Sequence, residues 1–163
     1  MSGRILRPEV LTPGAFAPFG DVLEAKGPPD RIINAGLCGR YHDRARLDFG
    51  SGGRAGISIF KAEPRALPYR FDLVERHPDG SQAFIPMTAD PFLVIVAADA
   101  GDVPGTPRAF VTDGASGINL HRNIWHGVLT PLAAPGLFAV VDRIGPGANL
   151  EEYRFSTPWE VVA

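Results

Sequence analysis

Only one cysteine, Cys38, occurs in the 163 residues, so no intramolecular disulfide can form and a thiolate-rich metal site is excluded. Charge of either sign is not in excess. Sixteen basic against eighteen acidic residues leave a formal net charge of -2, with no electrostatic footprint for nucleic acid or an anionic membrane. The basic residues are mostly arginine and are scattered, which favours pairing and carboxylate binding over a polybasic tract. Long apolar runs are missing as well: the longest, Pro91 to Ala98, falls far short of the roughly 20 residues needed to span a bilayer. Arg4, Arg7, Pro8 and Pro13 interrupt the amino-terminal stretch where a signal peptide would need an apolar core. A cytoplasmic, soluble chain is the expectation.

Nineteen glycines and sixteen prolines cut the chain into segments too short for most helices. That spacing predicts an all-β sandwich or barrel, and the length fits a single domain over residues 1–163. Strands are expected at Gly20 to Glu24, Arg31 to Asn34, Gly56 to Phe60, Phe71 to His77, Gln82 to Met87, Phe92 to Ala97, Arg108 to Thr112, Ile118 to His121, Trp125 to Thr130 and Leu137 to Asp142. The continuously apolar Phe92 to Ala97 segment should be central and buried on both faces. One short helix is signalled by Thr12 as cap and Pro13 at the first helical position. Asp99 to Pro107 and the tail after Gly145 are expected to be the loosest parts.

Two polar clusters stand out. In Glu75-Arg76-His77-Pro78-Asp79-Gly80-Ser81-Gln82 the alternation of a strand puts Glu75 and His77 on one face, and a tight turn would return Gln82 beside them as a hairpin. In Asn119-Leu120-His121-Arg122-Asn123-Ile124-Trp125-His126, Asn119 and His121 share parity and His126 follows a turn. Together these segments hold three of the four histidines, with Glu75 and Gln82 beside them. Buried polar groups of this kind need a partner, a ligand or a metal to offset desolvation.

The two clusters resemble the paired motifs of the cupin barrel, with Glu75 and His77 on the positions of its first two histidines, Gln82 on that of its glutamate and His126 on that of its second-motif histidine. The resemblance narrows over Arg40-Tyr41-His42-Asp43, Ile57-Ser58-Ile59, Glu75 to Met87, Arg108-Ala109-Phe110, Asn119 to His126 and Asp142-Arg143. These blocks are similar to the ureidoglycolate lyase family, from about Phe16 to about Arg143.

The resemblance implies a cupin-like double-stranded β-helix, or jelly-roll barrel, with one or two short helices. It implies a homodimer that splits ureidoglycolate into glyoxylate and urea in allantoin, hence purine, degradation. It also associates a divalent metal with the activity, nickel in particular, and no organic cofactor; Glu75, His77, Gln82 and His126 are the candidate ligands. Breaking a carbinolamine needs a base for the hydroxyl proton and an acid for the departing nitrogen, work for which histidine is suited near neutral pH. His77 and His126, with Glu75 beside them, are the expected catalytic residues. Gln82, Asn119, His121, Tyr41, Arg122 and Arg143 are the expected substrate-binding residues, with Arg40 a further candidate for the carboxylate. Two alternatives remain at this point: an amidohydrolase that releases ammonia, and a cupin that binds a small carboxylate without turnover.

Overall fold

The computed structural model describes residues 3–163, about half of them in strands and hardly any in helix. In chain order the strands are β1 (Arg4–Leu6), β2 (Glu9–Val10), β3 (Gly20–Leu23), β4 (Arg31–Ile33), β5 (Cys38–Arg40), β6 (Arg54–Ala62), β7 (Tyr69–Arg76) and β8 (Gln82–Pro86). They continue with β9 (Phe92–Ala97), β10 (Arg108–Val111), β11 (Gly117–Leu120), β12 (Trp125–His126), β13 (Thr130–Pro131), β14 (Gly136–Ile144) and β15 (Glu151–Val161). A curled sheet runs β1-β15-β7-β12-β9-β10-β2, with β13 also on β9; a five-stranded sheet runs β3-β11-β8-β14-β6; β4 and β5 form a separate ribbon. This is a cupin-like β-sandwich: the strand spacing implies the all-β sandwich, and the family resemblance its cupin-like form.

The core sits where β9 was expected to put it. Phe92, Val94 and Val96 enter the space between the sheets with Phe84, Ile118, Leu120, Phe138 and Val140, while Leu93, Ile95 and Ala97 pack on the other side with Phe71, Trp125, Phe155 and Val161. Each buried side chain of this size contributes roughly 1.5–3 kcal/mol. The single helix among the described residues, α1 (Pro13–Phe16), begins as expected: Thr12 Oγ1 accepts from the Ala15 N–H at 3.2 Å, and Pro13 occupies the first turn. Its one buried residue, Phe16, meets Phe110 edge to face at 5.6 Å, so this turn of helix closes one end of the core.

Several expectations are corrected. The segment from Glu75 to Gln82 is not a hairpin, because β7 belongs to the curled sheet and β8 to the five-stranded one; the chain arches from sheet to sheet. The second cluster does the same, from β11 to β12. The strand expected from Trp125 to Thr130 is broken after His126, where Leu129 turns into the core and Thr130 Oγ1 donates to the Val128 carbonyl at 2.7 Å.

The tail is the longest strand of the molecule, not a loose end. β15 pairs antiparallel with β7 and parallel with β1, with its register shifted between Arg154 and Trp159. That shift destroys the alternation by which a strand is recognised in sequence. The segment Asp99 to Pro107 is likewise tied down, by Ala100 N–H to Val103 O at 2.7 Å and Gly105 N–H to Ala98 O at 2.8 Å.

Candidate functional site

The two arches bring one polar group to the interior. Glu75 on β7 lies directly opposite His126 on β12, and His77 follows Glu75 by two residues on the same face. Glu75, His77 and His126 offer ligand atoms that all lie within 4.8 Å of one another, and the His77 and His126 rings have centroids 5.1 Å apart. From the other sheet Gln82 reaches across: its Oε1 accepts from His77 Nε2 at 3.0 Å. His77 Nδ1 donates to the Asn149 carbonyl at 2.7 Å. With an oxygen acceptor against each nitrogen, the His77 ring is arranged as a double donor.

His126 is the reverse case. It is 4% exposed and its Nδ1 donates to the Gly127 carbonyl at 3.0 Å, which leaves Nε2 as a lone pair. That nitrogen is buried with no hydrogen-bond partner. The His126 ring also lines a small cavity of about 20 Å³ with Phe84, Val94, Ile118 and Leu120, which has room for about one water. An unpartnered buried acceptor costs about 1–3 kcal/mol, so its retention points to a proton or a metal supplied from outside the chain.

Burial pushes the His126 imidazole down to about 4, reinforced by the charge of His77, so the ring is neutral at pH 7. Burial pushes the Glu75 carboxyl up, with His77 opposing the rise and Glu152 adding to it. The unfolded chain binds the His126 proton from about pH 6.5 downward while the folded chain refuses it until about pH 4. Metal-free protein should therefore lose up to about 3 kcal/mol of stability on acidification through that window. Glu75 acts in the opposite sense just above its unfolded pKa, since the folded carboxyl takes up its proton first. Chemical denaturation at a series of pH values checks this, and His126→Gln should flatten the loss.

Whether the group fits a metal rests on its donors. Two imidazoles and a carboxylate suit a divalent transition metal, and the free His126 Nε2 is the atom such an ion would satisfy. Glu75, His77 and His126 fit, with His77 exchanging one of its acceptors for the ion. Gln82, expected as a fourth ligand, holds its carbonyl oxygen against His77 Nε2, and its amide nitrogen donates to Asp142 Oδ2 at 3.1 Å.

The other expected substrate contacts lie elsewhere. Ile118 and Leu120 face the core, so Asn119 and His121, of opposite parity, lie on the outer side of the five-stranded sheet. Asn119 Nδ2 donates to Asp21 Oδ2 and to the Arg46 carbonyl, both at 3.0 Å; His121 Nε2 meets Asp21 Oδ2 at 2.9 Å. Arg122 forks onto Asp48 at 2.8 and 2.9 Å, and Arg143 donates to the Phe49 carbonyl at 2.7 Å. Tyr41 donates to the Gly27 carbonyl at 2.7 Å, and Arg40 is exposed on the β4–β5 ribbon. Asn119, His121, Arg122 and Arg143 brace the loop at residues 46–49 against the outside of the sheet. Gly80 permits that docking, since a Cβ there would stand 2.7 Å from the Asp48 carbonyl oxygen.

Sequence reasoning missed two residues of the inner group, Asp142 and Asn149. Alternation along β14 could have found Asp142, which shares parity with the core residues Phe138 and Val140. Asn149 lies in an irregular stretch that carries no such signal. Its carbonyl holds His77 and its Oδ1 accepts from the Asp79 N–H at 2.7 Å.

Residues 3–162 match the family model described as ureidoglycolate lyase. The ureidoglycolate lyase of Rhodobacter capsulatus is 64% identical over 150 residues, covering 92% of this chain and 93% of that one. Ureidoglycolate lyase 2 of Rhizobium meliloti is 51% identical over 152 residues, 93% of each chain. The ureidoglycolate lyase of Chelativorans is 50% identical over 154 residues, covering 94% of this chain and 93% of the relative.

Proposed function

Because the chain belongs to the ureidoglycolate lyase family, we propose that it is an enzyme cleaving ureidoglycolate to glyoxylate and urea, as a single cytoplasmic domain serving allantoin degradation. The substrate is a carbinolamine, with one carbon bearing a hydroxyl, a carboxylate and the ureido nitrogen. The hydroxyl O–H bond breaks, a C=O bond forms, the C–N bond breaks and the departing nitrogen gains a proton. No water is consumed.

The observation that carries this reading is the free Nε2 of His126 beside a doubly donating His77. His126 Nε2 takes the hydroxyl proton, and His77 delivers one to the ureido nitrogen; each such transfer is worth about 10²–10⁴ in rate. Glu75, opposite His126 and two residues before His77, sets the charge that both rings face. A divalent metal, nickel in particular, would be held by Glu75, His77 and His126 and would supply Lewis-acid polarisation of the hydroxyl and carboxylate oxygens. It would occupy the same lone pair on His126, so the base role assigned to His126 is that of the metal-free protein, and with the metal bound His126 would serve as a ligand.

The test is incubation with ureidoglycolate and separate assay of urea and ammonia, with an enzyme-free control for spontaneous decay and a stereospecific readout. Urea without ammonia supports the lyase. Ammonia would make the protein an amidohydrolase, and binding without either product would make it a carboxylate-binding cupin.

A homodimer is part of the same reading. On the outer face of the five-stranded sheet Ile57, Ile59 and Ile85 are 75%, 59% and 42% exposed. Ile59 and Ile85 flank Ala139 in register, so they form one apolar patch and not scattered residues. Light scattering should give twice the chain mass for the wild type and the single chain mass for Ile59→Glu. A monomeric wild type would refute the dimer.

A further inference from the structure

We propose that Asp142 is a positioning residue for the reaction: it fixes the direction of the Gln82 amide and through it the donor state of His77. This rests on the assignment of His77 to the active group. Asp142 and Gln82 stand directly opposite each other on β14 and β8, where facing side chains lie within about 5.5 Å at Cβ. Gln82 is 6% exposed, so neither end of its amide can turn to bulk water.

An amide alone can present either its oxygen or its nitrogen to a neighbour. A carboxylate can only accept. Asp142 Oδ2 takes the Gln82 Nε2–H at 3.1 Å, and the carbonyl oxygen is thereby committed to the other side, where it receives His77 Nε2–H at 3.0 Å. The chain Asp142, Gln82, His77 runs in one direction, each member donating back toward the carboxylate, and the Asn149 carbonyl closes the far side of the ring. The same pairing accounts for an amide at position 82. A glutamate there would set two carboxylates opposite each other across β8 and β14, whereas glutamine gives Asp142 a donor and His77 an acceptor.

Asp142→Ala removes the acceptor and frees the amide to reverse. Its kcat for urea release should fall about 10–100-fold, the usual cost of losing a residue that orients an active-site histidine, with KM little changed. Gln82→Glu should also lose kcat. Adding Asp142→Asn to Gln82→Glu restores the pattern, because the amide introduced on β14 can donate to one oxygen of the carboxylate introduced on β8 and leave the other for His77. The double variant should recover most of the lost kcat, which a merely structural role would not produce.

The ring nitrogens of His77, followed by nitrogen-15 NMR on labelled, metal-free protein without substrate, give a readout independent of turnover. They should shift in Asp142→Ala and return toward wild type in the double variant. Thermal unfolding confirms that each variant is folded. A double variant no better than Gln82→Glu, or an unchanged His77 spectrum in Asp142→Ala, overturns the proposal. A wild type that releases no urea while the NMR pattern holds overturns the assigned reaction and leaves the positioning role intact.

Discussion

Exchanging His126 for alanine should lower kcat for urea release by about 10²–10⁴-fold, the largest effect expected of any single change in the chain. The expectation follows from geometry more than from residue type. His126 is neutral at working pH because burial holds it down to about 4, its Nδ1 is spent on the Gly127 carbonyl, and its Nε2 has no partner. A lone pair in that condition is ready to receive a proton. His126→Gln fills most of the same space without a basic nitrogen, and it should lose kcat to a similar degree while keeping the fold. His121→Ala supplies the contrast: its ring is bound to Asp21 and Arg46 on the outer side of the sheet, so kcat should stay within a few fold of wild type. Steady-state urea release by the three variants checks the ranking, and equal losses at His121 and His126 would contradict it.

The second large effect is on stability. Arg76→Ala should cost about 3 kcal/mol, the lower end of what breaking a buried ion pair usually costs. Arg76 lies between Glu75 and His77 but faces away from them, 6% exposed. Its guanidinium donates to Glu151 at 2.6 and 2.9 Å, to Asp99 at 3.0 Å and to Asp102 at 3.1 Å. It also stacks 4.6 Å over Trp125, whose indole N–H shares Asp99 Oδ1 at 3.1 Å. One side chain therefore joins β7, β12, β15 and the segment after β9, behind the strands that carry Glu75 and His126.

The side chains of Glu151 and Asp102 are 49% and 88% exposed and recover water when the arginine is removed, which is why the lower end applies. Arg76→Lys should keep little of the stabilisation, because an ammonium cannot fork onto Glu151 and lie flat on the indole together. Denaturant midpoints of the three proteins measure the differences. A loss below about 1 kcal/mol for Arg76→Ala would place the cluster with exposed ion pairs of little worth.

The sandwich was legible where local physics decides. Phe92 to Ala97 reads as a strand buried twice over because every residue is apolar, and Thr12-Pro13 reads as a helix start because cap and ring act within one turn. Within a strand, parity also held: Glu75 pairs with His77, and Asn119 with His121. It failed across the turns. Both polar segments cross from one sheet to the other, so Gln82 meets His77 from the opposite wall, and His126 enters the core while His121 stays outside. Alternation carries no information about which sheet the next strand joins. β15 was hidden for a related reason, since its register slips around Thr157 and Pro158 and its charged residues alternate with nothing. Asn149 acts through its backbone carbonyl, a group every residue has.

A crystal structure of the protein with glyoxylate bound tests the central claim most directly, because the interior and the outer side of the five-stranded sheet each hold histidine and polar neighbours. The product should lie against His126 Nε2 and His77, within hydrogen-bond reach of both, with Asp142 still accepting from the Gln82 amide. Glyoxylate seated instead among Arg46, His121 and Arg122 would contradict the account and move the chemistry to the other face of the sheet.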